Sequence, residues 1–286
     1  MSKKRWLEKN TSDLIGKTVA VTGSTGGLGK ALCAHLASLG ASLVLVDRSL
    51  ERSLTHKEEL TDTYGVSVTC VTAELEDTAS VESAAERLCE LGIDVLILNA
   101  GAYSIPRHIC DSGFDNVFQI NFVSQYTLAR KLLPHLRERS GKVVAVGSIA
   151  HGYSKTDKND VDFSTRKSSA LAYGNSKRYL MHALYGLFEG EERASLSIVH
   201  PGITLTNITA HYPKIVFAII KHPMKVIFMS PEKASLCILK GVFDTCERGE
   251  WIGPRAFDVW GYPKKKRLSS ISENERKHIY DVSHRL

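Results

Sequence analysis

Short β-branched runs alternate with longer stretches of helical periodicity along most of this chain. Residues 17–22 form an apolar run that stops at Gly23 and reads as a buried strand. Apolar residues then recur at helical spacing (Leu28, Ala31, Leu32, Leu36, Leu39) up to Gly40. A second buried strand is expected at 42–46, ending at Asp47, then a polar amphipathic helix over 51–64 and a third strand at 66–71. Residues 78–91 read as helix, and 94–98 as a fourth strand closing on Asn99, Ala100 and Gly101. A long helix is predicted from 113 to 138, with an irregularity or end near Pro134. A fifth strand at 142–146 leads into Gly147 and Ser148, and the polar, aperiodic stretch 151–167 reads as a loop. Residues 168–188 predict a helix, 194–199 a sixth strand ending at His200-Pro201-Gly202, 231–243 a helix and 250–252 a short last strand.

Strict alternation of strand and helix implies parallel βαβ units with right-handed crossovers. The expected fold is therefore α/β: one Rossmann domain over 1–286, a doubly wound parallel sheet with helices on both faces. Its core is placed at 15–257, an insertion at 203–230 and a basic C-terminal extension at 258–286.

Composition narrows the class. With 43% hydrophobic and 24% charged residues over 286 positions, the chain has the make-up of a soluble globular protein. The net charge of +6 is mild; seven Lys/Arg against three Asp/Glu lie beyond residue 260, densest at Lys264-Lys265-Lys266-Arg267. Such a run could touch nucleic acid or an acidic membrane surface, but it accompanies no nucleic-acid signature and reads as a solvated tail. Six cysteines (33, 70, 89, 110, 237, 246) form no C-x-x-C, and eleven histidines no H-E-x-x-H, so reduced core thiols, no metal site and a cytoplasmic setting are expected. Residues 1–13 lack the apolar core of a signal peptide, and the apolar stretch 215–229 is broken by Lys221, His222, Pro223 and Lys225, so no span is expected.

In a doubly wound sheet, ligands bind at the carboxyl ends of the strands. After the first strand comes Thr22-Gly23-Ser24-Thr25-Gly26-Gly27-Leu28-Gly29, whose glycines let backbone and a helix N-terminus approach a pyrophosphate. Asp47 ends the second strand, placed to accept ribose hydroxyls and repel a 2′-phosphate, which favours NAD over NADP; Arg48 beside it could compensate. Glu74 and Leu75 follow the third strand and could meet the adenine. Small residues at Asn99, Ala100 and Gly101 admit a cofactor. Tyr173 and Lys177, four apart on a helix, would stand on one face, where an ammonium can favour a phenolate.

Together these residues resemble the short-chain dehydrogenase/reductase family from about residue 17 to 257. T-G-x-x-x-G-x-G falls on Thr22, Gly23, Gly27 and Gly29, N-A-G on 99–101 and Y-x-x-x-K on Tyr173 and Lys177. Ser148, Asn121 and Pro201-Gly202 match at their strand and helix positions. The resemblance implies hydride transfer between a nicotinamide and an alcohol or carbonyl carbon. Tyr173 would be the general acid/base, Lys177 would lower its pKa and hold the nicotinamide ribose, Ser148 would bind the substrate oxygen, and Asn121 would place a water leading to Lys177. Ile203 and Thr204 would contact the carboxamide and Thr206 lie near the phosphates. Ser148 and Tyr173 are 25 positions apart, which exceeds the spacing of many members. With Gly113-Phe-Asp, Asn121-Phe and Ser148-Ile-Ala-His151, this spacing resembles the retinol-dehydrogenase-like branch, which usually uses NADP and often lacks an acid where Asp47 stands.

By the same resemblance, residues 203–230 would be the lid over the substrate, and their apolar content (Ile208, Tyr212, Ile215, Val216, Phe217 and others) suits a steroid, retinoid or long-chain carbonyl. A helix pair packed on the core or at a subunit interface fits the same pattern. A homodimer or homotetramer through the helices around Asn121 and Tyr173 is the family expectation. Turnover of a polar or sugar-like carbonyl, and a dinucleotide-binding regulator without turnover, are the competing readings.

Overall fold

The first two predicted strands pair in parallel as β1 (Thr18–Thr22) and β2 (Ser42–Asp47), in register from Thr18 opposite Ser42 to Thr22 opposite Val46. The computed structural model describes residues 2–203 and 229–286. β3 (Val68–Thr72), β4 (Val95–Leu98), β5 (Lys142–Val146), β6 (Ser195–Val199), β7 (Glu250–Ala256) and β8 (Trp260–Arg267) complete one sheet in the order β3-β2-β1-β4-β5-β6-β7-β8. All pairs are parallel except β7 with β8. The order reverses between β1 and β4, which opens a crevice at their carboxyl ends.

Helices cover both faces. On one lie α1 (Lys3–Asn10), α2 (Gly27–Ser38), α3 (Leu50–Tyr64) and the helix Pro231–Phe243, here α8; Trp6, Leu32, Leu36, Leu60, Leu236 and Leu239 pack beneath them. On the other lie α4 (Thr78–Glu90), the one-turn α5 (Asn116–Phe118), α6 (Ser124–Glu138), α7 (Ser169–Leu187) and α9 (Glu273–Ser283), over Leu88, Phe118, Phe122, Leu132, Tyr179 and Ile279. The valines, leucines and isoleucines of the central strands are sealed on both sides, each stabilising the fold by about 1.5–3 kcal/mol.

Two expectations change. Pro134 does not interrupt its helix: α6 runs through it to Glu138 because Leu132, Leu133 and Leu136 are buried against the sheet. The irregularity lies earlier, where residues 119–123 form a π-helical turn containing Asn121. The basic C-terminal segment is no solvated tail. Its first part is edge strand β8, whose Tyr262 stacks on Trp6 at 6.2 Å, and its second is α9, which buries Ile279 on α7. The core therefore extends past residue 257. The expected lid falls almost wholly on 204–228, outside the described residues; at its described ends Met229 N donates to Ile203 O at 3.0 Å.

Candidate active site

A cleft of about 1040 Å³ follows the carboxyl ends of β1 to β6. At one end is the glycine loop. Gly23 adopts φ +67°, and a Cβ there would sit 2.9 Å from Ala100 Cα, so loop and β4 end approach as only glycine allows. A Cβ on Gly29 would fall 2.2 Å from Gly23 O. Thr22 and Asn99 lock this junction: Thr22 Oγ1 accepts from the N–H groups of Asn99 and Ala100, both at 3.0 Å, and Asn99 Nδ2 donates to the carbonyls of Thr22 and Gly23. Gly26 gives α2 no side-chain cap, so its first N–H groups are left for an anion, and buried Asn99 Oδ1 has no partner among the described residues. This cradle of backbone amides, with no side chain to fill it, fits a dinucleotide pyrophosphate.

Asp47 stands where expected but is not an open acceptor. Buried to 9% exposure, it accepts from the Ser24 hydroxyl and, at 3.0 Å, from the Thr25 hydroxyl. A carboxylate offers about four acceptor positions, so room remains for a ribose hydroxyl. Arg48 is exposed beside it, and Arg52, which the sequence did not single out, donates to Thr25 O at 3.1 Å. The signal was available: Arg48 and Arg52 are four apart at the start of α3. Glu74 and Leu75 line the cleft at the β3 end, with Glu74 N bonded to Ser80 Oγ.

Tyr173, Lys177 and Ser148 meet at the other end. The Ser148 hydroxyl hydrogen-bonds Tyr173, which lowers the phenol pKa, but burial outweighs it and pushes Tyr173 up to about 12. Lys177 is 2% exposed, donates to Val146 O at 2.9 Å and is lowered by burial to about 8. Its ammonium lies 6.0 Å from the Tyr173 ring centre. Asn121, fully buried, accepts from Ala102 N at 2.7 Å and donates to Ala102 O and Ser176 Oγ. A Cβ on Gly101 would lie 3.1 Å from Asn121 Oδ1 and 3.4 Å from Lys177 Nζ, so the glycine keeps both polar groups beside one gap.

Tyr103, Ile105, Ile149, Tyr153, Ala170 and Ile203 form the wall near Tyr173, and Tyr103 meets its ring edge-on at 5.2 Å. Tyr103, Ile105, Tyr153 and Ala170 were not singled out from sequence, because such positions carry no periodic signal; Ile203 was, as a carboxamide contact, and Ile149 stood in the 148–151 run. Pro201 and Gly202 also line the cleft, with Gly202 at φ +83°; Thr204 and Thr206 lie outside the described residues. Glu76, His108 and Cys110 bring possible ligand atoms within 4.8 Å, near the β3 end. There Asn116 Nδ2 donates to His108 Nδ1, so Nε2 carries the proton and meets Glu76 at 3.0 Å; a hydrogen-bonded pair accounts for the group without an ion.

The family model described as short chain dehydrogenase matches residues 17–214. The chain is 33% identical over 205 residues to mouse retinol dehydrogenase 12, covering 68% of this chain and 63% of that relative. It is 32% identical over 199 residues to a Streptomyces sp. (strain C5) protein named as a daunorubicin C-13 ketoreductase, covering 68% of each. A short-chain dehydrogenase from Sphingobium yanoikuyae, solved with NADPH, superposes with a TM-score of 0.56 at 25% identity over 68% of this chain and 74% of its own. The chain belongs to the short-chain dehydrogenase family, and it spans just under two thirds of the length of the mouse relative. No described helix is long and apolar enough to cross a membrane.

Proposed function

We propose that this oxidoreductase moves a hydride between NAD(P)(H) and an apolar alcohol or carbonyl, a secondary alcohol/ketone or primary alcohol/aldehyde such as a steroid or retinoid. The observation that carries the reading is the Ser148–Tyr173 hydroxyl pair beside buried Lys177, at the far end of the cleft from the glycine cradle. When bound, the nicotinamide supplies or takes up the hydride. Tyr173, protonated at neutral pH, gives its hydroxyl proton to the substrate oxygen in reduction and recovers it in oxidation. Ser148 donates a hydrogen bond to that oxygen and stabilises its developing charge. Lys177, still largely protonated at pH 7, holds positive charge one helical turn from the phenol, and Asn121 keeps the 101–102 backbone and the gap beside Lys177 in place.

Gly23, Ser24, Thr25, Gly27, Leu28 and Gly29 would bind the pyrophosphate. NAD(H) is the preferred pair: Asp47 is fixed by Ser24 and Thr25 at the ribose position and opposes a 2′-phosphate. Exposed Arg48 and Arg52 support the second reading, NADP(H), and the Sphingobium relative was solved with NADPH.

The wall of tyrosines and isoleucines supports the apolar substrate. Asp47, Arg48, Arg52, Glu74 and Glu76 all lie at the β2 and β3 ends of the cleft, and among the other described lining residues Lys177 and His200 are the titratable side chains apart from tyrosine. Assay of steroids, retinoids, aliphatic ketones and sugars with NADH and NADPH tests the reading. Turnover of an apolar carbonyl supports it; turnover of sugars alone contradicts it.

A further inference from the structure

Phe257 is 93% exposed, more than any other large apolar side chain among the described residues, and it occupies an unfavourable position for a phenylalanine. The β7–β8 connection is the three-residue loop 257–259, in which Val259 N donates to Ala256 O at 3.0 Å and closes a β-turn. Its central residues, Phe257 and Asp258, have φ +50° and +57°. Two left-handed residues make the mirror-image turn that fits strand twist and is normally built from Asn-Gly, because a Cβ is penalised there. Phe257 therefore strains the hairpin and gains almost no burial within its own chain. An outlier of this kind points to a use outside the chain.

The surroundings give that use a chemistry. Trp260, three residues on, is 50% exposed. Arg255, Lys264, Lys265 and Arg267 are exposed along the same hairpin. Asp258 is the one acidic residue between 251 and 267, and it is tied to Lys266 at 2.9 Å. Lysines on an edge strand also deter strand pairing, but that role has no need of Phe257. The hairpin also touches the cleft: His200 Nε2 donates to Asp258 O at 2.9 Å, and a Cβ on Gly202 would lie 2.7 Å from Val259 O.

We propose that the β7–β8 edge docks on an anionic lipid surface, with Phe257 and Trp260 entering the headgroup layer and the four exposed cations meeting lipid charge. Docking there sets the mouth of the cleft beside the bilayer. The inference does not rest on the catalytic reading and is tested without a substrate.

The test is flotation of the full chain with phosphatidylcholine vesicles and with vesicles containing about 30% phosphatidylserine. Wild type floats with the anionic vesicles and is released by salt. Phe257→Asn suits the left-handed turn, so its Tm holds or rises while its vesicle affinity falls about tenfold. Lys264→Glu with Lys265→Glu weakens binding to the anionic vesicles alone. Wild type that floats with neither vesicle, or a Phe257→Asn variant that floats as well as wild type, overturns the proposal. So does a lower Tm in Phe257→Asn, which would mean the ring is used within the chain. A concentration-dependent dimer without lipid, lost in Phe257→Asn, assigns the edge to a second copy and overturns it equally.

Discussion

Arg178, the residue after Lys177, is gripped on both carboxylate oxygens by Glu275 of α9, at 2.7 and 2.8 Å. Both side chains are less than a tenth exposed, and the same guanidinium donates to His151 O at 2.8 Å. His151 Nδ1 in turn bonds Ser148 O, and Ser269 Oγ bonds His151 Nε2. The C-terminal segment thus braces the turn that carries Ser148.

Removing one partner of this pair leaves a buried charge uncompensated. Glu275→Ala is expected to destabilise the protein by about 3–5 kcal/mol in chemical denaturation. A loss below about 1 kcal/mol, the range of a surface pair, would show that the contact does not brace α7.

The same helix bears on assembly. Gly186 of α7 packs on Tyr280, Tyr179 bonds His278, and Arg130 of α6 bonds Leu286 O. α9 covers a face of the helix pair that the family resemblance assigns to subunit contact. We expect a monomer by light scattering at micromolar concentration; a stable dimer that survives Tyr280→Asp would contradict that expectation.

Asp47 has two effects to separate. Asp47→Ala removes repulsion of a 2′-phosphate and is expected to shift the NADPH/NADH ratio of kcat/KM about tenfold or more toward NADPH. It also frees Ser24 and Thr25, so both cofactors should bind more weakly. An unchanged ratio, or wild type that already prefers NADPH several-fold, contradicts the proposed role.

Stability should fall in mild acid. Burial lowers His182 to about 3 and His200 to about 4, from an ordinary 6.5. A depressed folded pKa means that the unfolded chain binds the proton first, so this stability is full above 6.5 and is lost as pH falls toward 4. Tm is expected to drop between pH 7 and 4.5, and less steeply in His182→Phe. Parallel slopes for the two proteins would exclude His182 as a contributor.

Much of the sheet was legible because buried parallel strands are continuous apolar runs, as at Val19–Val21 and Leu43–Val46. The glycine loop was legible because Gly23 and Gly29 answer local demands of turn and approach. β8 was not: a strand reading Pro263-Lys264-Lys265-Lys266 looks like a tail until Tyr262 finds Trp6 across the fold. α9 was missed because its apolar residues are few and its anchors, Glu275 and Tyr280, are polar or exposed types. The commitment of Asp47 to Ser24 and Thr25, and the π-turn at Asn121, depend on contacts across the crevice that spacing does not encode.

The central claim is that Tyr173 exchanges the proton. Turnover of the best substrate by Tyr173→Phe, with cofactor affinity measured in parallel by fluorescence quenching, tests it most directly. The account predicts cofactor binding near wild type and kcat reduced by about 10²–10⁴. A Tyr173→Phe enzyme that turns over at the wild-type rate would contradict it.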